Sequence, residues 1–280
     1  MLSPRSASDT ALALARREDL SAFLRARRAQ LDPEAFGFPS LPRRRIQGLT
    51  RDQVASLVGI GSSYYAWIEQ GRPLNVSDDV QDRLARVFAL NRAETAYLRL
   101  LCNPRDEEAT LVERVPAAAQ QLLDALRDVP AFALNQRWDI VASNQTAARV
   151  FDERPRRGRS RGRNLLWSFF AGMRERIVAD RTAIAQHVVA AFRLVYAQHI
   201  LDDSFRQLVR ELRASSEEFA ALWQRQTVRE TLDVAFGYEH DELGRLAFET
   251  VTTRLGGVPE INLCICIPDQ GTQTVLRLTR

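Results

Sequence analysis

Ser62, Ser63, Tyr64 and Trp67 fall on one side of a short helical pattern, GSSYYAWIEQGR, with Tyr65 and Ile68 on the other. Serine hydroxyls can bond base edges or phosphates, and an indole can pack on a thymine methyl or a sugar. The run Arg43–Arg45, with Arg51 and Arg72, brings phosphate-seeking charge to both ends of this stretch. In the plain alternative, Trp67 covers a core edge and the arginine run is a solvated loop. The exposed face lacks Arg, Asn and Gln, the usual bidentate base readers, so selectivity would lean on duplex shape or on the spacing of two copies.

A second set of residues suggests apolar binding. Trp138, Trp167, Phe170, Phe192, Phe219 and Trp223 are spaced through the later part of the chain and would line an apolar cavity, although each taken singly suits ordinary core. Among them runs TAIAQHVVAAFRLVYAQHIL, apolar nearly all round and hence buried on most sides. Arg193 interrupts that helix with Val189, Ala190, Tyr196 and Ala197 as its helical neighbours. With no carboxylate in local reach it needs a distant acid, a backbone carbonyl or a ligand anion; a snorkelling arginine and a structural ion pair are the competing readings. Asn144 follows the WDIVAS strand, where capping the next helix competes with a place in the pocket.

Other chemistry finds little footing. Cys102, Cys264 and Cys266 are too few for a disulfide framework, and Cys264 and Cys266 share one strand face, poorly placed to bridge each other. His187, His199 and His240 lack metal-ligand spacing, so neither a metal nor a cofactor is expected. There is no G-x-S-x-G elbow, phosphate loop or H-E-x-x-H, and the expectation is of no enzyme. All 39 basic residues are arginine, and residues 1–105 hold 16 of them against 11 carboxylates, whereas residues 106–280 hold 23 against 24. The positive half is where a phosphate backbone would be met. The tract Arg154–Arg163 packs six arginines and two glycines into ten residues and reads as a mobile loop, with RNA binding as a further option. No apolar run has the length of a membrane span and the start lacks a signal core, so a cytoplasmic location is expected, with no membrane partner.

The elements that must position these residues follow from periodicity and caps. A helix is predicted over Asp19–Leu31, then one opened by the Thr50/Gln53 capping box and turned at Gly59, then the helix from Ser62 to Gly71. Two more fit Asp78–Phe88 and Arg92–Leu101, the latter boxed by Asn91 and Glu94. A polar linker at 106–115 separates this part, 1–105, from 116–280. The latter opens with a helix over Pro116–Arg127 and a hairpin, AFALNQRWDIVASN. A helical pattern over Asn164–Gln224 follows, with Ser215 and Glu218 boxing SEEFAALWQR, and the tail returns to strands, INLCICI putting Ile261, Leu263, Ile265 and Ile267 on one face.

Leu49–Arg72 resembles the lambda-repressor-like, XRE-type helix-turn-helix, without a gap. That resemblance also implies an ion pair from Glu69 to an arginine of the first helix, Arg28 being the candidate. The whole chain resembles the MmyB-like regulators through PRRRIQGLTRDQVASLVG, YYAWIEQGR, VPAFALNQRWDIVASN, NLLWSFF and LVRELRASSEEFAALW. The resemblance implies an α+β chain: an all-α DNA-binding domain and then a PAS-like domain with an antiparallel sheet. It further implies a regulator that binds double-stranded DNA and a small, fatty-acid-like ligand. A homodimer on a pseudo-palindrome fits this expectation. The alternative keeps the DNA binding but makes the second domain a dimerisation or partner-docking module.

Overall fold

Alanine, leucine and arginine fill SASDTALALARRE, and all three favour helix, with Pro4 tolerated in the first turn. In the computed structural model α1 accordingly runs over Pro4–Gln30, fifteen residues earlier than the buried stripe alone suggested. The stripe marks the second half, where Leu20, Phe23 and Leu24 are buried, while Leu14 is exposed. The structure describes residues 4–39, 48–72, 74–103, 111–151, 164–172, 176–178, 180–256 and 261–279. Arg43–Arg45 and the Arg154–Arg163 tract lie outside them.

A 3-10 turn, Glu34–Phe36, is followed by α2 (Arg51–Val58) and α3 (Ser62–Glu69). Next come α4 (Asp78–Val87) and α5 (Arg92–Cys102). Two of the three expected capping boxes are formed, Thr50 with Gln53 and Asn91 with Glu94. Together these helices enclose Leu24, Leu49, Val54, Tyr65, Ile68, Leu84, Tyr97 and Leu101. The chain divides into two compact units, the first being 1–108 with 196–207 and 223–228, the second 109–195, 208–222 and 229–280.

The second unit is built on six antiparallel strands in the order β2-β1-β6-β5-β4-β3. These are β1 (Ala131–Leu134), β2 (Ile140–Ser143), β3 (Ile177–Val178), β4 (Ala235–His240), β5 (Gly244–Leu255) and β6 (Ile261–Pro268). The register pairs Phe132 with Cys264, Thr250 with Cys266 and Tyr238 with Leu246, so these residues share the sheet's inner face. Ala131, Ala133, Ala142, Ile261 and Leu263 take the other face, under Leu123 of α6 (Ala117–Ala125). The antiparallel α+β expectation therefore holds, with Ile261, Leu263, Ile265 and Ile267 on one side of β6 as the alternation required.

Helices α7 (Gln145–Val150), α8 (Leu165–Trp167), α9 (Arg181–Gln198), α10 (Asp203–Ser215) and α11 (Glu217–Gln224) complete the middle of the chain, with a π-helical stretch at Ser168–Gly172. Four details differ from the sequence expectations. The 164–224 region is interrupted by β3, which exists only because Ile177 and Val178 pair with Tyr238 and Gly237. The start of α11 is capped by Ser216, whose hydroxyl accepts from Phe219 N at 3.1 Å, because Ser215 is still the last residue of α10. Glu218 is thereby released to meet Arg181 at 2.5 Å. After β6 the chain closes with α12 (Gln270–Leu278), capped by Asp269 through Thr272 N at 2.7 Å.

Candidate functional site

The local geometry of α2 and α3 is set by short-range bonds. Thr50 Oγ1 accepts from Gln53 N at 3.2 Å and Gln53 Oε1 from Thr50 N at 2.9 Å, which satisfies two donors at the start of α2. Gly59 ends it at φ 71°, where a side chain would be strained. Arg83 of α4 donates from Nη1 to the Val58 carbonyl at 2.9 Å and the Gly59 carbonyl at 3.2 Å, fixing the turn from outside. Ala55, small and buried, permits the two helices to cross.

Residue period then decides which side of α3 is free. Tyr65, Ile68 and Glu69 are buried; Ser62, Ser63 and Trp67 are exposed, Trp67 at 40%. Tyr64 is half-buried, its hydroxyl donating to the Asn75 carbonyl at 3.4 Å. Arg72 is exposed and its guanidinium stands 5.4 Å from the Trp67 ring centre, so charge and indole form one surface. Arg51 is divided between two roles: 45% of its side chain is exposed, but its Nε donates to Glu69 Oε1 at 2.9 Å.

Glu69 is the pivot. Its side chain is wholly buried and accepts from Arg28 Nε at 2.7 Å and Nη2 at 3.0 Å, while Arg28 Nη1 donates to the Leu49 carbonyl at 2.8 Å. The expected Arg28 partnership is thus present. Burial alone would raise the Glu69 carboxyl, but the hydrogen bonds and charge of Arg28, with Arg51, outweigh it and hold the group below its ordinary range. Arg28 is raised in turn, first by its bond to Glu69. Burial, and then the Glu69 charge, push the neighbouring Tyr65 phenol up.

In the second unit the aromatic candidates pack as separate pairs. Trp138 meets Phe192 edge-on at 5.2 Å, and Phe170 meets Phe219 edge-on at 5.2 Å. Trp138 sits at φ 63°, a conformation that bulky residues rarely adopt. The turn around it is held by Asn135, whose Oδ1 accepts from Arg137 N at 3.0 Å and Asp139 N at 2.9 Å. Trp167 is half-buried at the end of α8. Phe192 and Arg193 are fully buried on α9, which is enclosed nearly all round as its composition required. Trp223 stands apart: it belongs to the first unit and packs edge-on against Tyr196 at 5.2 Å.

Asn144 uses its amide on backbone partners. Oδ1 caps α7 through Ala147 N at 2.8 Å and accepts from Ala131 N at 3.2 Å; Nδ2 donates to the Leu123, Leu126 and Val129 carbonyls at 3.3, 2.7 and 2.8 Å. The capping reading holds, and the residue also ties β1 to the end of α6.

Sequence reasoning missed the aromatic group on the inner sheet face. Phe151 lies within 5.0 Å of Tyr238, 5.5 Å of Phe132 and 5.8 Å of Phe248, ring centre to ring centre. The alternation of Phe236 with Tyr238 in β4 and Leu246 with Phe248 in β5 carried the signal.

A capped two-helix unit with one side of α3 exposed is followed by an antiparallel α+β unit with an aromatic interior. Residues 19–98 match the model of a helix-turn-helix domain, and residues 115–280 match that of the MmyB-like transcription regulator ligand binding domain. The second match covers more than half of the 280 residues, and the chain belongs to the MmyB-like transcription regulators. No curated protein matches the chain. Among the described residues no helix is long and apolar enough to cross a membrane.

Proposed function

We propose that the chain is a cytoplasmic, homodimeric regulator that reads a pseudo-palindromic operator through α3 and responds to a lipophilic, fatty-acid-like effector. Ser62, Ser63, Tyr64 and Trp67 meet the major groove, and Arg43, Arg44, Arg45, Arg51 and Arg72 meet phosphates. The observation that carries this reading is the sidedness of α3: Tyr65, Ile68 and Glu69 are locked inside, and two hydroxyls and an indole are left outside. The effector site is assigned to the interior of the second unit, beside Trp138, Phe192 and Arg193, with Trp167, Phe170 and Phe219 around it. Buried aromatic rings beside the buried guanidinium of Arg193 suit an amphiphile with an acidic head.

A second reading, in which this domain only dimerises, is favoured by Val251 and Ile267. They lie on neighbouring strands of the outer sheet face and are 46% and 44% exposed. Native mass spectrometry of the full chain separates the two readings. A dimer carrying a small molecule supports effector binding; a dimer that stays empty after incubation with saturated fatty acids from octanoate to stearate supports the dimerisation reading.

A further inference from the structure

Residues four apart on a helix lie one above the other, so α1 presents two neighbouring stripes. Leu20, Leu24 and Arg28 form one of them. Leu20 and Leu24 are buried, and Arg28 holds the reader helix through Glu69 and the start of α2 through the Leu49 carbonyl. Asp19, Phe23 and Arg27 form the other. This second stripe meets the two later segments of the same unit, 196–207 and 223–228.

Its contacts are polar and directional. Burial first, and then the charge of Asp19, holds the Tyr196 phenol well above its ordinary range, and the buried Tyr196 ring stands edge-on to Trp223 at 5.2 Å. Phe23 packs edge-on to Tyr97 at 5.1 Å. Arg27 lies over the Phe23 ring at 4.9 Å, donates from Nη2 to the Gln226 carbonyl at 2.8 Å and pairs with Glu94 at 2.9 Å. Gln226 is itself buried and held at φ 56°, a conformation that persists only where the surroundings enforce it. Hydrogen bonds in such a dry setting fix one arrangement where a purely apolar contact would tolerate several.

Tyr196 is one helical turn beyond Phe192 and three residues beyond Arg193 on the continuous helix α9. We propose that α1 is the transmission element of this regulator: Tyr196 and the Gln226 carbonyl hold its Asp19–Phe23–Arg27 stripe, and its adjacent stripe holds the reader helix through Arg28 and Glu69. A displacement of α9 at Phe192 and Arg193 then moves α1 and, with it, the presentation of α3. Close-packed elements with directional contacts switch between arrangements and do not deform smoothly. The proposal rests on the effector-responsive reading above, but its first test needs no effector.

The test uses the full chain and a duplex selected from a random pool by the wild type. Tyr196→Phe, Asp19→Leu and their combination take away the pairing of Tyr196 with Asp19; Arg27→Met removes the hold on Gln226. Operator affinity should change about fivefold or more without effector, the low end of ordinary coupling between sites. The double variant should change no further than the singles, since both remove the same pairing. Amide exchange should quicken over 62–69 in α3 as well as around Asp19 and Tyr196. Should Arg27→Met fail to fold, Tyr196→Phe still tests the idea, because it deletes a single hydroxyl. Operator affinity within twofold of wild type, with unchanged exchange in α3, overturns the proposal. An absence of thermal stabilisation by any fatty acid from octanoate to stearate overturns the effector class alone, and the effector-free measurements still decide for or against α1.

Discussion

Arg28 closes on Glu69 with two hydrogen bonds, 2.7 and 3.0 Å long, between residues 41 apart in the chain. This is the fork geometry in which a guanidinium fixes orientation as well as proximity. It makes α1 the support of α3, and Arg51 adds a third bond from α2.

Glu69→Ala should therefore cost stability out of proportion to one side chain. Removing one partner of a buried pair typically costs ~3–5 kcal/mol, because the other charge is stranded. Urea unfolding of the full chain, followed by helical circular dichroism, measures it. The pH profile adds a signature. The Glu69 carboxyl lies below its ordinary range in the folded protein, so the pair's contribution is complete above the unfolded value of about 4.3 and is lost as pH falls through the folded value. Glu69→Gln should flatten that acid limb; an unchanged limb would show that Glu69 contributes nothing to it.

Ser63→Glu tests the reader face directly. Ser63 is exposed and has no part in the fold's hydrogen bonds described above, so the variant should fold normally. An anion placed against the groove should weaken operator binding by at least the ~1–3 kcal/mol of a good base contact. Gel-shift affinity within twofold of wild type at fixed salt would remove α3 from the operator.

Salt dependence separates arginines that touch DNA from arginines that hold the protein together. Replacing Arg43, Arg44 and Arg45 with glutamine should lower the log–log salt slope by roughly 0.9 for each phosphate no longer neutralised, and weaken binding to every duplex alike. Arg83→Met should behave differently. Arg83 spends Nη1 on the Val58 and Gly59 carbonyls, so its loss should loosen the turn and weaken binding while the slope stays as in wild type. Equal slope changes in both variants would make Arg83 a phosphate ligand.

What the sequence made legible was local. The Thr50–Gln53 and Asn91–Glu94 boxes join residues three apart, and Gly59 declares a left-handed turn by its type alone, so each can be read without knowing the fold. The first half of α1 has helix-forming composition but lies ahead of the Leu20–Phe23–Leu24 stripe, so periodicity starts late. The two-residue strand β3 owes its existence to β4, about sixty residues on, and no local pattern declares it. The Phe151 group assembles from residues 132, 151, 236, 238 and 248 only once β1, β6, β5 and β4 are in register. The pairs Trp138–Phe192 and Phe170–Phe219 follow the same rule: the sequence nominated the members, and long-range pairing chose who met whom.

The effector reading is most exposed at Arg193. This guanidinium is fully buried on α9 next to Phe192, whose ring packs against Trp138. Burying a charge is costly unless it is compensated, so a residue retained there has a definite task in the folded protein or toward a ligand. An effector alters operator affinity only by its differential affinity for two conformations, and couplings of ~1–3 kcal/mol, about 5–150-fold, are ordinary. Saturated fatty acids of graded length should therefore show one chain-length optimum, shared by thermal stabilisation and by operator affinity. Arg193→Leu should then weaken each acid far more than the alcohol of the same length, because only the acid loses an ion pair. Equal weakening of acid and alcohol would make Arg193 a structural residue and leave the aromatic walls as the whole of the recognition. A variant that no longer folds would be replaced by Arg193→Lys, which keeps the charge but not the fork, and should retain acid binding at reduced strength if the head group is held there.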